Sequence, residues 1–350
     1  MQVVVLIPAH NEERDLSSAL RSLERQTRPA DRIVVVADNC SDATAAVARS
    51  FAGVEVFVTV GNSKKKAGAL NQAIPFLAGC SDEDALLVMD ADCVLEDRFI
   101  ETALDHLHED VGAVGGIFYA REPNGLIERL QAMEYARYAR EIARDKARAK
   151  VVTGTGSMFR LAALRAVATA RAEGRIPGST EQVYDTMALT EDNELTLALK
   201  HLGYRCISPK GCIVSTDVMP TLSKLFHQRV RWQRGAIDNL RNYGVTKVTL
   251  PYIVRQVLMG ATIPLQMAFW VLVAYQMMYF GGLQAHPFWT GLTLIFVAER
   301  ALTVRRLGPK AMSVASLLVL EIAYDMFQQF VYVKSGFDSL RSAQQTWVTT

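Results

Sequence analysis

Apolar positions in the first third of the chain follow two patterns that take turns. Short apolar runs, each typical of a strand, occur at 3–7, 33–37, 54–60 and 86–89, and only the run at 54–60 contains polar residues, Glu55 and Thr59. Between these runs the apolar residues recur at helical spacing, as at Leu16, Leu20 and Leu23. Strands that alternate with helices in this way predict a parallel, doubly wound α/β sheet.

The fourth apolar run leads directly into two carboxylates, Asp90 and Asp92. Because side chains alternate along a strand, both point the same way at its carboxyl end, which is where ligands bind in open α/β sheets. Two like charges at one place repel each other unless a cation joins them, and hard divalent cations such as Mg²⁺ or Mn²⁺ suit this role. Without further context, an Asp-x-Asp pair is more often part of a surface turn.

Other strand ends also carry polar residues. Asp38 follows the second run and can accept a hydrogen bond from a nucleotide base or ribose, with a helix cap as the alternative. Lys66 lies near a predicted helix start, a position that favours phosphate binding. It also belongs to the run Lys64-Lys65-Lys66, and such runs of charge usually form solvated turns. No G-x-G-x-x-G follows the first strand, and this argues against NAD or FAD.

Composition narrows the function further. The chain has 350 residues, half of them hydrophobic, which is enough for one large domain or two smaller ones. Its net charge of +2 gives no bulk attraction to nucleic acid, so we expect no nucleic-acid partner. The five cysteines include no C-x-x-C pair, which argues against a disulfide framework or a zinc site and favours a reducing compartment. We expect no signal peptide, because a strand follows Met1 and Gln2 directly.

The middle of the chain predicts one further strand, from Val111 to Tyr119, with glycines at 115 and 116. A helix is predicted over 125–148, and it carries many arginines. These cations fit either a solvated helix with glutamate partners or a helix that lies against an anionic membrane surface.

The last third of the chain is strongly apolar. No Asp, Glu, Lys or Arg occurs from Gln256 to Ala298, a span that suits a membrane hairpin better than a soluble core helix. The pattern predicts an α/β domain over 1–240 and a membrane-associated region over 241–350, with helices near 257–280, 287–304 and 311–333. Cations follow the second helix and, by the positive-inside rule, predict that the α/β domain lies on the cytoplasmic side.

The third apolar segment carries an acidic stripe at Glu321 and Asp325. Charges inside a membrane segment should face protein or water rather than lipid. The segment therefore either spans the bilayer or lies at its surface, and the stripe is consistent with packing in a homo-oligomer.

Several motifs occur in order along the chain. They are Pro8-Ala9-His10-Asn11-Glu12, the strand-end Asp38, Lys66-Ala67-Gly68-Ala69-Leu70-Asn71 and Asp90-Ala91-Asp92. Further along come Thr190-Glu191-Asp192 and Gln228-Arg229-Val230-Arg231-Trp232. The set resembles the inverting GT-A glycosyltransferases of family 2, and the last two motifs are similar to the TED and QxxRW signatures of the cellulose, chitin, hyaluronan and poly-N-acetylglucosamine synthase branch. The resemblance covers about residues 3–235.

This resemblance implies a GT-A catalytic domain followed by C-terminal membrane helices. It implies a membrane-anchored, metal-dependent, inverting glycosyltransferase with a nucleotide-sugar donor, expected to be a UDP-sugar. The acceptor would be a glycan, or a glycosylated or lipid-linked molecule. Asp192 would be the general base that takes a proton from the acceptor hydroxyl.

The resemblance also assigns the remaining site residues. Mn²⁺ or Mg²⁺ would be held by Asp92 and Asp90. The donor would be bound by Pro8, His10, Asn11, Glu12, Asp38, Lys66, Asp90, Gln228, Arg231 and Trp232. The acceptor would be bordered by Gly154, Thr155, Gly156, Ser157, Glu191 and Trp232.

Other interpretations remain open at this point. Taken alone, Asp192 is an ordinary acid in the first turn of a helix, and Trp232 is a core residue of an amphipathic helix. Within the class, a polyprenyl-phosphate glycosyltransferase is the alternative. From other classes, the alternatives are a nucleotidyltransferase, which would release pyrophosphate, and a catalytically silent sugar-binding membrane protein. We expect at most three membrane helices, too few for one copy to enclose a polymer channel, and this also favours a homo-oligomer.

Overall fold

The computed structural model describes residues 1–179, 182–282 and 286–341. They form two compact units that interleave along the chain. The first unit contains Met1–Pro123 and Tyr138–Val218, and the second contains Asn124–Arg137 and Met219–Thr350. This grouping by contact differs from the predicted domains at 1–240 and 241–350, which stay a prediction about functional organisation.

The first unit is built on a seven-stranded sheet with the order β3-β2-β1-β4-β8-β6-β9. Its strands are β1 (Val3–Ala9), β2 (Arg32–Ala37), β3 (Val54–Val58), β4 (Ala85–Val88), β6 (Val111–Gly115), β8 (Ser157–Arg160) and β9 (Arg205–Ile207). Strands β3, β2, β1 and β4 are parallel to one another, and β6 is parallel to β9. Strand β8 is antiparallel to both β4 and β6. The sheet is thus mostly parallel, as the sequence predicted.

A second sheet has three strands in the order β5-β10-β7. They are β5 (Val94–Leu95), β7 (Ile117–Ala120) and β10 (Ile213–Thr216). Strand β10 is antiparallel to β5 and parallel to β7. Because β5 follows Asp92 after one residue, this small sheet fixes the chain as it leaves the acidic strand end.

Helices pack on the large sheet and complete the core of the first unit. They are α1 (Leu16–Glu24), α2 (Thr44–Arg49), α3 (Lys65–Ala73), α4 (Phe99–His106), α6 (Leu161–Ala172) and α7 (Glu191–His201). Leu20 and Leu23 of α1 join Phe99 and Ile100 of α4 in one buried cluster with the side chains of β1. The helical spacing of the apolar residues therefore matches the face that each helix buries.

The predicted strand from Val111 to Tyr119 is wrong in one respect, because it is two strands in two different sheets. Strand β6 ends at Gly115 and β7 begins at Ile117, so the chain changes sheets at Gly116. A Cβ at Gly116 would lie 2.5 Å from Val214 Cγ2 and 3.0 Å from the Gly156 carbonyl oxygen. The glycine is required because the two backbones approach so closely here.

The second unit is helical. Its elements are the first turns of α5 (Leu126–Arg144), followed by α8 (Leu222–Tyr243), α9 (Leu250–Phe280), α10 (Pro287–Thr303), α11 (Pro309–Ser316) and α12 (Leu318–Leu340). Within the described ranges, α9 is the one helix that is long and apolar enough to cross a membrane by itself, and none of its 31 residues is buried. The predicted helix near 257–280 thus starts earlier, at Leu250.

The third apolar segment, predicted as one helix over 311–333, is two helices. Helices α11 and α12 meet at an angle of 76° and together pass the same test of length and apolarity. Leu317 lies between them with φ −82° and ψ 82°, outside the helical region. An apolar run contains no signal for such a break, since Leu317 is as apolar as its neighbours.

The acidic stripe on α12 has partners within its own unit. Glu321 is 2 % exposed, and its carboxylate accepts hydrogen bonds from Arg137 at 2.6 Å and from Arg300 at 3.4 Å. Asp325 lies 3.8 Å from Arg300. On α5, Glu134 similarly accepts from Arg229 at 3.0 Å. The stripe therefore needs no second copy of the chain to neutralise it, and it no longer argues for a homo-oligomer.

Replacing Gly116 by alanine should destabilise the first unit. The new Cβ would overlap Val214 and the Gly156 carbonyl, and crowding of this kind costs about 1–3 kcal/mol, or several degrees in Tm. Thermal unfolding of the full chain in detergent measures the change. Gly79→Ala is the matched control, because a Cβ there meets nothing within 4 Å. Equal melting temperatures for the two variants would contradict the close approach.

Replacing Glu321 by glutamine should destabilise the second unit strongly. The variant leaves the Arg137 and Arg300 guanidinium groups without their buried carboxylate, a change that costs roughly 3–5 kcal/mol. Asp325→Asn is the control, because that side chain is 50 % exposed and its loss should cost only about 0–1 kcal/mol. If both variants unfold at the wild-type temperature, the buried ion pairs do not hold the helices together.

Candidate active site

The two predicted metal ligands lie in a tight turn at the carboxyl end of β4. The amide of Met89 still donates to the Leu6 carbonyl of β1 at 3.2 Å, and the amide of Cys93 donates to the Asp90 carbonyl at 3.2 Å. One ligand atom from each of Asp90, Asp92 and Cys93 lies within 4.8 Å of the other two. The acid pair thus lies at the edge of the sheet, in the position that the sequence predicted.

Negative charge accumulates at this edge. Burial, and then the neighbouring Asp90, raise the pKa of Asp92 to about 6. Burial, followed by Asp92, raises the pKa of Glu12 to about 7. At both acids, burial and like charges outweigh the nearby cations, and clusters of acids with raised pKa values are typical of functional sites.

The chemistry of the donor set fits a hard divalent cation. Asp90 and Asp92 offer carboxylate oxygens, which Mg²⁺ and Mn²⁺ prefer. The Cys93 thiol is fully buried, and burial together with the charge of Asp92 holds its pKa well above the usual range. It therefore stays protonated, donates to Asp92 Oδ1 at 3.2 Å, and is a poor ligand for a soft metal such as Zn²⁺.

Lys66 joins this turn to a distant part of the chain. Its Nζ lies 2.5 Å from Asp90 Oδ1 and 3.1 Å from Glu191 Oε1. Burial alone would lower the pKa of Lys66, but the two carboxylates outweigh burial and raise it well above its ordinary value. The ammonium thus stays charged and couples the end of β4 to the start of α7.

The predicted general base lies in the first turn of α7. Thr190 is the N-cap residue of this helix, with extended backbone angles. Asp192 Oδ2 accepts a hydrogen bond from the Gly154 amide at 3.2 Å, and Oδ1 accepts one from the Asn193 amide at 2.7 Å. Burial, and then Glu191, raise the pKa of Asp192 to about 6. Such a group is ionised at neutral pH and still basic enough to take a proton.

The glycine-rich segment before β8 borders the same site. A Cβ at Gly154 would lie 2.5 Å from Lys66 Nζ, so the glycine leaves room for the lysine. Thr155 Oγ1 shares a hydrogen bond with Thr153 Oγ1 at 2.8 Å, and the Gly156 carbonyl accepts from the Gly116 amide at 2.7 Å. Ser157 is 1 % exposed and its hydroxyl donates to the Thr153 carbonyl, so it supports the loop from within.

Asp38 lies at the end of β2 in a dense network. Its Oδ1 accepts from Thr59 Oγ1 at 2.7 Å, from Asn62 Nδ2 at 2.8 Å and from Asn39 Nδ2 at 3.1 Å. His10 donates from Nδ1 to the Asp38 carbonyl at 2.7 Å. Sequence reasoning missed Thr59 and Asn62, because the predicted strand ran to residue 60 and so contained Thr59, whereas β3 ends at Val58.

Three more of the predicted donor residues lie in β1 or directly after it. Pro8 is half-buried in β1 opposite Val36. Asn11 has φ 59°, in the left-handed region, and its Oδ1 accepts from the Ser41 amide at 2.8 Å. Glu12 donates its amide to Thr44 Oγ1 at 2.8 Å. The left-handed turn at Asn11 leads the chain away from the end of β1.

The other predicted donor and acceptor residues belong to the second unit, on α8. Gln228 is buried and its Oε1 accepts from Arg229 at 2.6 Å. The Arg229 guanidinium lies 4.4 Å from the centroid of the Trp232 ring. Arg231 is half-buried and Trp232 is 36 % exposed. Arg229, which sequence reasoning did not single out, thus orders this helix through Gln228, Trp232 and Glu134.

The fold and the acidic site agree with a sequence match over most of the chain. Residues 1–235 match the profile described as "Glycosyltransferase like family 2", and the chain belongs to this family. The resemblance, the GT-A fold class and the enzyme class inferred from the motifs are thereby confirmed.

Among individual proteins, the chain is similar to poly-beta-1,6-N-acetyl-D-glucosamine synthase of Staphylococcus aureus (strain COL). The two are 25 % identical over 242 residues, which are 68 % of this chain and 55 % of that protein. The synthase of the same name from Staphylococcus epidermidis is also 25 % identical, over 67 % of this chain and 54 % of that protein. The chain thus spans about half the length of the curated relatives it matches.

Among solved structures, the chain resembles the mannosyltransferase PcManGT from Pyrobaculum calidifontis, which was determined in complex with GDP-Man and Mn²⁺. The TM-score is 0.61 with 18 % sequence identity, over 98 % of this chain and 88 % of that chain. At this identity the likeness supports the fold alone.

Removing the charge of Asp92 should stabilise the metal-free protein. Folding raises the pKa of Asp92 from 3.8 to about 6. The free energy of unfolding therefore falls as the pH rises from 3.8 to 6, and the full loss is present above pH 6. Asp92→Asn in EDTA should gain about 1–2 kcal/mol at pH 7.5, and this gain should fade as the pH approaches 4.5. Adding Mn²⁺ should reverse the order, since wild type gains a ligand that the variant binds poorly.

Thermal unfolding at both pH values measures this effect. Asp110→Asn is the control, because Asp110 is exposed, is paired with Arg205, and has a lowered pKa, so its loss should not stabilise the protein. A lower melting temperature for Asp92→Asn in EDTA at pH 7.5 would show that the acid pair is not under electrostatic strain.

Proposed function

We propose that this chain is a membrane-anchored, metal-dependent, inverting glycosyltransferase that moves a sugar from a nucleotide-sugar to an acceptor hydroxyl. The observation that carries the proposal is the position of Asp192. A carboxylate with a pKa of about 6 lies at the start of α7, and Lys66 links that helix turn to the acid pair at the end of β4. Lys66 thus fixes the position of the base, Asp192, relative to the cation site at Asp90 and Asp92.

Donor binding is expected at the edge of the large sheet. The Asp38 carboxylate, held by Thr59 and Asn62, is suited to accept from a base N–H or a ribose hydroxyl. Mn²⁺ or Mg²⁺ held by Asp92 and Asp90 would neutralise charge on the leaving diphosphate. We keep a UDP-sugar as the expected donor. The assignment of Pro8, His10, Asn11, Glu12, Gln228, Arg231 and Trp232 to the donor stays a prediction from the resemblance.

Transfer needs one proton acceptor and no covalent intermediate. Asp192 takes the proton of the acceptor hydroxyl while the oxygen of that hydroxyl forms a bond to the anomeric carbon. The bond from that carbon to the diphosphate breaks, and the electron pair leaves with the nucleoside diphosphate. A single displacement inverts the anomeric configuration. Gly154 supports this role of Asp192, since its amide orients the carboxylate and the absence of a side chain leaves room for Lys66.

A glycan or glycosylated acceptor is supported by the curated relatives, which are named as poly-N-acetylglucosamine synthases. A polyprenyl-phosphate acceptor is the second candidate, and the observation in its favour is α9, an apolar helix of 31 residues with none buried. Extraction of labelled product into organic solvent separates the two acceptors. In either case, α9 anchors the protein, and Arg305, Arg306 and Lys310 favour a cytoplasmic catalytic domain. A homo-oligomer stays a prediction.

Replacing Asp192 by asparagine should abolish transfer and spare donor binding. The variant keeps the size of the side chain but removes the proton acceptor, and loss of a general base lowers the rate by about 10²–10⁴-fold. Transfer is measured with labelled nucleotide-sugar, and binding of the nucleoside diphosphate with Mn²⁺ is measured by calorimetry.

Asp110→Asn, the same change at an exposed carboxylate outside the site, serves as the control and should be fully active. If Asp192→Asn loses nucleotide binding together with transfer, Asp192 belongs to the donor or metal site instead. If transfer continues at the wild-type rate, Asp192 is not the base.

A further inference from the structure

The hydroxyl of Tyr184 is a buried polar group with no hydrogen-bond partner among the residues that the structure describes. The side chain is 2 % exposed, so bulk solvent does not reach it. Leaving a buried hydroxyl unsatisfied costs folding free energy, and native proteins usually satisfy such groups with protein atoms or an internal water. Tyr184 therefore requires an explanation, and it is not part of any motif discussed above.

Tyr184 lines a small cavity together with three charged residues of the proposed site, Lys66, Glu191 and Asp192. The cavity volume is about 10 Å³. A sugar ring needs a far larger space, whereas one buried water needs about 10–15 Å³ and two to four polar partners. The cavity has the size for one water molecule, and Lys66, Glu191 and Asp192 bring polar groups to a lining that is otherwise mostly apolar.

The backbone of Tyr184 is fixed by the helix that carries Lys66. Asn71 of α3 accepts from the Tyr184 amide at 3.0 Å and donates to the Tyr184 carbonyl at 2.8 Å. Lys66 lies on the same helix and contacts Asp90 and Glu191. One rigid element thus sets the position of both Tyr184 and Lys66 relative to the acidic start of α7. This gives Asn71, the last residue of the Lys66 motif, a structural role.

We propose that Tyr184 is a positioning residue for the general base: its hydroxyl donates to one buried water, and that water donates to the carboxylates of Glu191 and Asp192. The proposal rests on the proposed function, since it assumes that Asp192 is the base. In this arrangement the water accepts from the Tyr184 hydroxyl and donates both of its hydrogens to carboxylates, so each group has a partner. Hydrogen bonds donated to a carboxylate favour its ionised form, so the water keeps Asp192 ready to take a proton.

The charges around Asp192 keep its pKa only about one unit below neutral pH. Glu191 on the same helix disfavours ionisation of Asp192, whereas Lys66 from α3 and the Gly154 amide favour it. Asp90 also pairs with Lys66, so the positive charge of Lys66 is partly compensated before it reaches Asp192. With burial, the balance puts the pKa of Asp192 at about 6. Loss of the hydrogen bond that the water donates to Asp192 should raise the pKa of this carboxylate. The acid limb of the pH–rate profile should then move to higher pH.

The test compares Tyr184→Phe with wild type in kcat/KM for transfer between pH 5 and 9, at saturating Mn²⁺. We expect the acid limb to rise by up to about one pH unit. A full unit corresponds to a loss of about fivefold at pH 6 and less than 1.5-fold at pH 8. The affinity for the nucleoside diphosphate should not change. Tyr204→Phe, which removes a hydroxyl elsewhere in the first unit, should leave the profile unchanged.

Thermal unfolding gives a readout that does not depend on activity. If the hydroxyl is bound to water, Tyr184→Phe should lower the Tm by about 2–4 °C, whereas removal of an unsatisfied hydroxyl should leave it equal or raise it. An unshifted acid limb in an active variant, or an equal or higher Tm, overturns the proposal. If wild type transfers no sugar, the proposed function fails, and the Tm comparison still decides whether the hydroxyl is satisfied.

Discussion

The ammonium of Lys66 lies between two carboxylates from distant parts of the chain, Asp90 after β4 and Glu191 at the start of α7. This contact joins the turn with the proposed metal ligands to the helix that carries Asp192, the proposed general base. It does not neutralise the site, because Asp92 and Asp192 keep raised pKa values of about 6. The remaining negative charge is what a divalent cation would compensate, so the strain between like charges and the proposed chemistry have the same origin.

The sequence predicted the sheet and its acidic edge because both depend on local signals. A buried parallel strand is a run of apolar residues, and Asp90 and Asp92 follow such a run directly. The features that it did not predict depend on contacts between distant residues. Gly116 is needed because of Val214, and Tyr184 is fixed by Asn71. Glu321 is neutralised by Arg137, which lies 184 positions earlier in the chain. No periodicity in the sequence encodes such pairs, and the break at Leu317 has no local signal either.

The second unit carries charge inside apolar helices, and the pairing of that charge changes its interpretation. From sequence alone, an acidic stripe on a membrane segment suggests a partner copy. In the structure Glu321 is buried against two arginines of the same unit, and Glu134 accepts from Arg229 on the helix of the QxxRW motif. Internal pairing leaves α9, which has no buried residue, as the described helix best suited to contact lipid. Helix α5 is thus paired with α8 through Glu134 and Arg229, and with α12 through Arg137 and Glu321.

The central claim is that the site breaks the bond between a sugar and a nucleoside diphosphate. The most direct measurement is the identity of the nucleotide product when purified full-length chain, Mn²⁺, membrane lipids and glycan acceptors are incubated with a panel of UDP- and GDP-sugars. The account predicts release of the nucleoside diphosphate from one donor, in step with transfer of its sugar. Release of pyrophosphate would contradict it in favour of nucleotidyl transfer. Mn²⁺-dependent nucleotide binding without any release would leave a sugar-nucleotide binding protein in place of an enzyme.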